Sequence, residues 1–234
     1  MKTALAAIFF LICTCNAGCN AEVTGYSQSK ASPDGTGKFY FGREIARIMD
    51  AGGGDWLERN ERQREENTAL AIRTIQLGAD AVVADIGAGT GYYSFRLAGK
   101  VPRGKVYAVE VQDAFIRLLN TKKAALKDSV VEVIKGATQS PNLPNNSIDL
   151  AIMVDVYHEL EFPAEMLQAL GKALKPNGKI LFIEYRGEDP SIPIKTIHKT
   201  TVAQLNRELG ANGFRLSQQE EMLPIQHFLL YEKK

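Results

Sequence analysis

The stretch Val82-Val83-Ala84-Asp85-Ile86-Gly87-Ala88-Gly89-Thr90-Gly91 decides how this chain is read. Its apolar opening has the character of a buried strand, and the glycines that follow are spaced two apart. Tyr92 to Leu97 then have helix-compatible character. A strand that breaks through glycines into a helix turns backbone N–H groups and a positive helix end toward an anionic ligand group. Glycine lets the backbone turn sharply and approach that ligand closely. The dinucleotide fingerprint G-x-G-x-x-G needs a third glycine where Tyr92 stands, which disfavours a nicotinamide cofactor.

Asp85, two residues before the first glycine, suits a ligand that also carries positive charge. The amino-acid end of S-adenosylmethionine has both an ammonium and a carboxylate. A second acidic residue supports this reading. Lys105 to Val109 is the next strand candidate, and Glu110 ends it, 23 positions after Gly87. In doubly wound folds an acidic residue at that place accepts hydrogen bonds from ribose hydroxyls. A glycine turn that merely packs helix on strand explains neither carboxylate.

Asp85–Gly91 and Glu110 resemble the first two motifs of class I S-adenosylmethionine-dependent methyltransferases. Ser147 to Asp155 resembles their fourth strand, and Leu174-Lys175-Pro176-Asn177-Gly178 with Lys179 to Glu184 resembles their fifth strand and the turn before it. The resemblance covers roughly residues 80–232. It is closest to a bacterial group of methyltransferases expected to be exported, which share runs like Val154-Asp155-Val156-Tyr157-His158-Glu159 and Pro193-Ile194-Lys195 with His198-Lys199. It implies a seven-stranded, mostly parallel, Rossmann-like sheet with the last strand antiparallel. It also implies Asp85, Gly87, Ala88, Gly89, Gly91, Glu110, Ala137 and Asp155 as the cofactor-binding set. One departure is visible: related enzymes place Asp or Asn after the third strand, toward the adenine amino group, but this chain has Gly136-Ala137-Thr138.

Alternation from Ala81 onward agrees with a doubly wound α/β fold. Strands are expected at 82–86, 105–110, 130–134, 148–154, 178–184, 213–219 and 225–232. Helices are expected at 91–99, 113–121, 163–174 and 201–210. The domain division is a signal peptide over 1–21, a flexible linker over 22–38, an N-terminal helical cap over 39–78 and the cofactor-binding domain over 79–234. Lys2, the apolar run Ala4 to Cys13 and the small-residue exit to Ala21 have the layout of a secretory leader. Export, cleavage after Ala17 or Ala21 and a periplasmic location are therefore expected. Cys19 after Ala17-Gly18 half-resembles a lipoprotein box, and acylation there would associate the protein with a membrane. In the cap, Arg43 to Met49 reads as a short helix and 56–77 as a longer one, with Asp55 and Glu58 as its capping box. Trp56 and Arg64 are candidates to face substrate from a lid.

With 28 Lys and Arg against 27 Asp and Glu over 234 residues, no global basic field argues for nucleic acid. The three cysteines, Cys13, Cys15 and Cys19, all lie in the leader, and His158-Glu159 lacks the second histidine of a zinc helix, so no metal site is expected. A sulfonium methyl is already activated, so the protein has to align it with a nucleophile and exclude water. Asp155 to Glu159 should border that transfer site. His158 and Tyr157 are the candidate catalytic residues there. His198 joins them because the fourth and fifth strands should be neighbours, so that both following loops open on one crevice. The connection Tyr185 to Lys199 is long enough to carry specificity. Two functions follow from these residues: a methyltransferase for a small-molecule or lipid-like acceptor, or an exported S-adenosylmethionine-binding sensor without turnover.

Overall fold

The structure is a computed structural model that describes residues 25–234. The leader with its cysteines lies outside the described residues. At the N-terminal side, β1 (Tyr26–Gln28), β2 (Gly35–Tyr40) and β3 (Arg43–Ala46) form an antiparallel three-stranded sheet. Three short helices follow, α1 (Gly54–Leu57), α2 (Arg62–Glu66) and α3 (Thr68–Thr74).

These first elements correct the sequence reading. Residues 22–38 are not a linker throughout, because β1 and most of β2 fall within them. Arg43–Ala46 is a strand rather than a helix, since Arg43 and Glu44 pair with Tyr40 and Phe39 of β2. The helix expected over 56–77 is broken at Asn67, which adopts a left-handed conformation at φ 54°. Asparagine tolerates that region better than most residues. Asp55 lies inside the first turn of α1 and makes no capping bond. The cap is thus a small sheet plus three helical pieces.

From residue 82 the alternation is as expected, with ends displaced by a few residues. The elements are β4 (Val82–Ile86), α4 (Tyr92–Ala98), β5 (Lys105–Glu110), α5 (Asp113–Leu126), β6 (Val131–Lys135), β7 (Ile148–Val154), α6 (Pro163–Ala173), β8 (Leu174–Tyr185), α7 (Val202–Ala211), β9 (Phe214–Glu220) and β10 (Gln226–Lys233). Local chemistry sets several boundaries. Pro163 occupies the first turn of α6, where its missing N–H costs nothing. The Thr201 hydroxyl caps α7 by accepting from the Gln204 N–H.

The seven strands lie in the order β6-β5-β4-β7-β8-β10-β9. The pairs from β6 to β8 are parallel, and β10 runs antiparallel to both β8 and β9. Both faces are covered, so inner strands alternate between two cores rather than between core and solvent. Val83, Leu150, Ile152, Leu181 and Ile183 enter one core, together with Leu97 of α4. Ala84, Ala151, Met153, Ile180 and Phe182 enter the other, against Leu167 and Leu170 of α6. The chain passes from β4 to β5 on one side and later returns to β7 on the other. That reversal leaves a crevice beyond the C-terminal ends of β4 and β7, where open α/β sheets bind ligands.

Candidate active site

The crevice is a cavity of about 720 Å³. Its first wall is backbone. Gly87 and Gly89 line it, with φ angles of 70° and 53° that L side chains adopt only under strain. A Cβ on Gly87 would lie 2.7 Å from Val156, and one on Gly89 would lie 2.7 Å from Leu57. Glu110 ties this turn to the next loop. One carboxylate oxygen accepts from the Gly89 N–H at 2.9 Å, and the other from Val111 and Gln112 N–H at 2.7 and 2.9 Å. Beyond Glu110 the wall continues through Phe115, Ala137 and Thr138.

Asp155 lines the same cavity at the end of β7, in a left-handed conformation at φ 52°. Its Oδ2 accepts from Gln226 at 2.7 Å, while its buried Oδ1 has no partner among the described residues. Burial, reinforced by the nearby Glu66 and Glu184, holds its carboxyl well above the usual range. Asp85, Ala88 and Gly91 do not line the cavity, which corrects their assignment to direct contact. Asp85 leaves β4 on the face covered by α4, accepts from the Ser94 hydroxyl at 2.6 Å and is raised by burial to about 6. It ties the end of β4 to α4, just before the glycine turn.

A third wall escaped the sequence reading. Arg59, Arg62 and Glu66 line the cavity beside Tyr185. Glu66 receives Arg62 at 2.8 Å, Arg59 at 2.7 Å and the Tyr185 hydroxyl at 3.0 Å. Two guanidinium groups thus stand against Glu66, and Arg62 also acts through space on Asp155. A charge run such as 58–67 reads as a solvated helix face unless its break at Asn67 is foreseen. Trp56 lines the cavity as expected of a lid residue, whereas Arg64 is exposed away from it.

The opposite end is built from side chains. After β7 a single 3-10 turn, Tyr157–Glu159, sends successive residues in different directions. His158 and Glu159 line the cavity. Tyr157 goes into the core, packs on Phe182 and donates to Glu208 at 2.7 Å. It is fully buried, so its place among catalytic candidates is corrected: its hydroxyl is out of reach of any acceptor in the cavity. The His158 Nδ1 meets Glu184 Oε2 at 2.7 Å, while Glu184 Oε1 accepts from the Val156 and Tyr157 N–H groups at 2.9 and 2.7 Å. A carboxylate already serving two N–H donors selects, for the neutral ring, the tautomer with the proton on Nδ1 and Nε2 facing away from Glu184.

His198, 40 residues later in the chain, stands against His158 with ring centroids 5.2 Å apart and rings nearly perpendicular. Burial and the neighbouring His158 lower its pKa, and burial raises that of Glu159 to about 7. Pro193, Ile194 and Lys195 from the long connection also line this end. Its remaining polar residues are structural: Arg186 donates to the Leu223 and Pro224 carbonyls, and Glu188 accepts from Val202 N–H and meets His227. Thr36, Ile45, Ala46 and Met49 of the N-terminal region close the roof. Arg43 anchors that roof, donating twice to Glu208 at 2.8 and 2.9 Å and once to the His158 carbonyl at 3.2 Å.

Residues 84–180 match a family profile described as a methyltransferase domain. This central part of the chain is thus similar to methyltransferase domains. The chain is 25% identical over 151 residues to a demethylmenaquinone methyltransferase of Chlamydia muridarum (strain MoPn / Nigg), covering 63% of this chain and 65% of that protein. It is 30% identical over 121 residues to a probable cobalt-precorrin-6B C(15)-methyltransferase of Methanothermobacter thermautotrophicus, covering 49% of this chain and 60% of that one. The matches therefore span less than two thirds of either relative's length. Among solved structures, a SAM-dependent methyltransferase from Aquifex aeolicus superposes with a TM-score of 0.73 at 24% identity, covering 79% of this chain and 98% of that one. The mitomycin 7-O-methyltransferase superposes at 0.62 with 14% identity, over 70% of this chain and 52% of that one. These likenesses support the class I methyltransferase fold derived above.

Proposed function

We propose that the protein transfers the methyl group of S-adenosylmethionine to a small, largely apolar acceptor bearing a reactive oxygen or carbon. The observation that carries this reading is the single cavity with two unlike ends. Gly87, Gly89 and Glu110 stand at one end, and His158 and His198 at the other. The cofactor's ribose hydroxyls suit Glu110, its adenine suits the wall at Phe115, Ala137 and Thr138, and its zwitterionic tail suits Arg59, Arg62, Glu66 and Asp155. When bound, the cofactor supplies a methyl group already activated on sulfonium.

The chain's own task is then positioning and exclusion of water. Ile45, Met49, Met166 and Ile194 give the acceptor end apolar walls. His158 and His198 hold the acceptor's reacting atom from the side opposite the glycine turn. Relatives named for demethylmenaquinone favour a quinol-like acceptor over a polar metabolite. The test is a methyl-transfer screen with quinols, phenols, thiols and amines, beside calorimetric titration with S-adenosylhomocysteine. Absence of saturable binding would remove the cofactor assignment, and turnover of any acceptor would reject a pure sensor.

We also propose that residues 1–21 direct export, on the basis of the basic start, apolar run and small-residue exit. Mass spectrometry of the mature protein should find its N-terminus near Ala17 to Ala21, or an acylated Cys19. An intact leader in cells would refute export.

A further inference from the structure

We propose that His158, Glu159 and His198 form a site for a first-row divalent transition cation at the acceptor end of the cavity. One ligating atom from each of the three residues lies within 4.8 Å of the other two. His158 Nε2 and Glu159 Oε1 are 3.9 Å apart. Bonds of about 2.0–2.2 Å to a shared cation would set such atoms roughly 3–3.5 Å apart. The adjustment falls mainly on His198, which sits half-buried at the end of a three-residue turn, Thr196–His198.

The outer contacts already have the form a metal site needs. Metal-binding imidazoles commonly donate their second ring N–H to a carboxylate, which fixes the ring and its tautomer. Glu184 can accept in this way from His158 Nδ1 and is itself held by two backbone N–H groups. Glu159 Oε1 receives only a long contact of 3.3 Å, from the Met49 N–H. The His198 ring makes no hydrogen bond among the described residues. His158 Nε2 and the Glu159 carboxylate thus converge with an unengaged imidazole at a place where His158 itself is buried. Converging acceptors in such a place need a common electropositive partner.

Two imidazoles and one carboxylate suit zinc, cobalt, iron or manganese better than magnesium or calcium, which favour oxygen ligands. Three protein ligands leave at least one position open, and here it opens onto the cavity. An acceptor hydroxyl bound there would lose its proton to solvent more readily. The new O–CH3 bond then forms as the C–S bond breaks, its electron pair passing to sulfur. This use of the cation rests on the methyl-transfer reading above, and the histidines then reach the acceptor through the cation. Metal binding itself does not rest on that reading.

The experiment is titration of the untagged, chelator-treated protein with Co²⁺, followed by its visible absorption. One equivalent should bind to the wild type. His198→Ala and the isosteric Glu159→Gln should each weaken binding by about tenfold or more, with unchanged circular dichroism. His227→Ala, whose ring instead meets Glu188, should bind Co²⁺ as the wild type does. No saturable binding to the wild type, or equal binding in His198→Ala and Glu159→Gln, would overturn the site. S-adenosylhomocysteine titrated into the same proteins should bind all of them alike. Its failure to bind, with Co²⁺ binding intact, would sink the cofactor reading and keep the cation site.

Discussion

At one end of the cavity the wall is made of backbone, in Gly87, Gly89 and the N–H groups that Glu110 gathers; at the other it is made of side chains, His158, Glu159 and His198, under a roof from residues 36–49. The first end comes from two consecutive strand-to-helix turns. The second needs β7, the loop after β8 and the N-terminal sheet to meet. A backbone wall tolerates little variation, because its shape depends on φ angles and on missing Cβ atoms. A side-chain wall can be rebuilt by substitution while the strands beneath it stay put. One fold can therefore keep a cofactor and change its acceptor.

Breaking the assembly at the side-chain end should have the largest effect on stability. Arg43 is the bidentate partner of the buried Glu208 and also binds the His158 carbonyl. Arg43→Ala leaves Glu208 buried with only Tyr157 and Gln204 as partners. Removing one member of a buried ion pair costs about 3–5 kcal/mol. Urea unfolding should show a loss of that size, and a change below about 1 kcal/mol would mean that the roof is only loosely joined to the sheet.

The backbone end should break through a single Cβ. Gly89→Arg combines a strained φ of 53° with a contact at 2.7 Å to Leu57. Strain of about 1–3 kcal/mol, plus a side chain occupying the crevice, should weaken S-adenosylhomocysteine at least about 100-fold in calorimetry. Affinity within threefold of the wild type would place the cofactor elsewhere.

The same contrast explains what the sequence made legible. The run at 82–91 states its strand, its turn and the start of its helix within ten residues, and the later central strands β7 and β8 carry apolar runs long enough to be seen. Strand neighbourhood then brought His158 and His198 to one crevice. The N-terminal region offers no such local signal. Its strands are three to six residues long, polar, and rich in residues that also make loops. What orders them lies far away in the chain, as in Tyr26 donating to Glu165 and Arg43 to Glu208. Tyr157 misleads for a different reason. Next to His158 in sequence, it points the other way because a 3-10 turn separates neighbours by about 120°, and only the position of Glu208 reveals which one enters the core.

The side-chain end should also be separable from the backbone end in kinetics. His198→Ala should lower methyl transfer by about 10²-fold while S-adenosylhomocysteine affinity stays within a factor of about three. The split is expected because His198 sits on the turn after β8 and touches neither glycine nor Glu110. A parallel loss of both quantities would mean that the two ends fold as one unit, and the contrast drawn above would fail.

The smallest effect is expected beneath the backbone end, at Asp85. Burial raises its carboxyl to about 6 in the folded protein, above the ordinary aspartate value of about 3.9. Between those values the folded state binds more protons than the unfolded state, so stability falls as pH rises through that window. The contribution is fully present below about pH 4 and gone above about pH 6. Asp85→Asn removes the titration while its side-chain oxygen can still accept from Ser94. The melting temperature of the variant relative to the wild type should therefore climb between pH 4 and pH 6.5 and then level off. A flat difference over that range would mean that Asp85 stays charged under the glycine turn. The ammonium of a bound cofactor would then be drawn by a full carboxylate through the turn, and the variant should lose cofactor affinity at neutral pH instead.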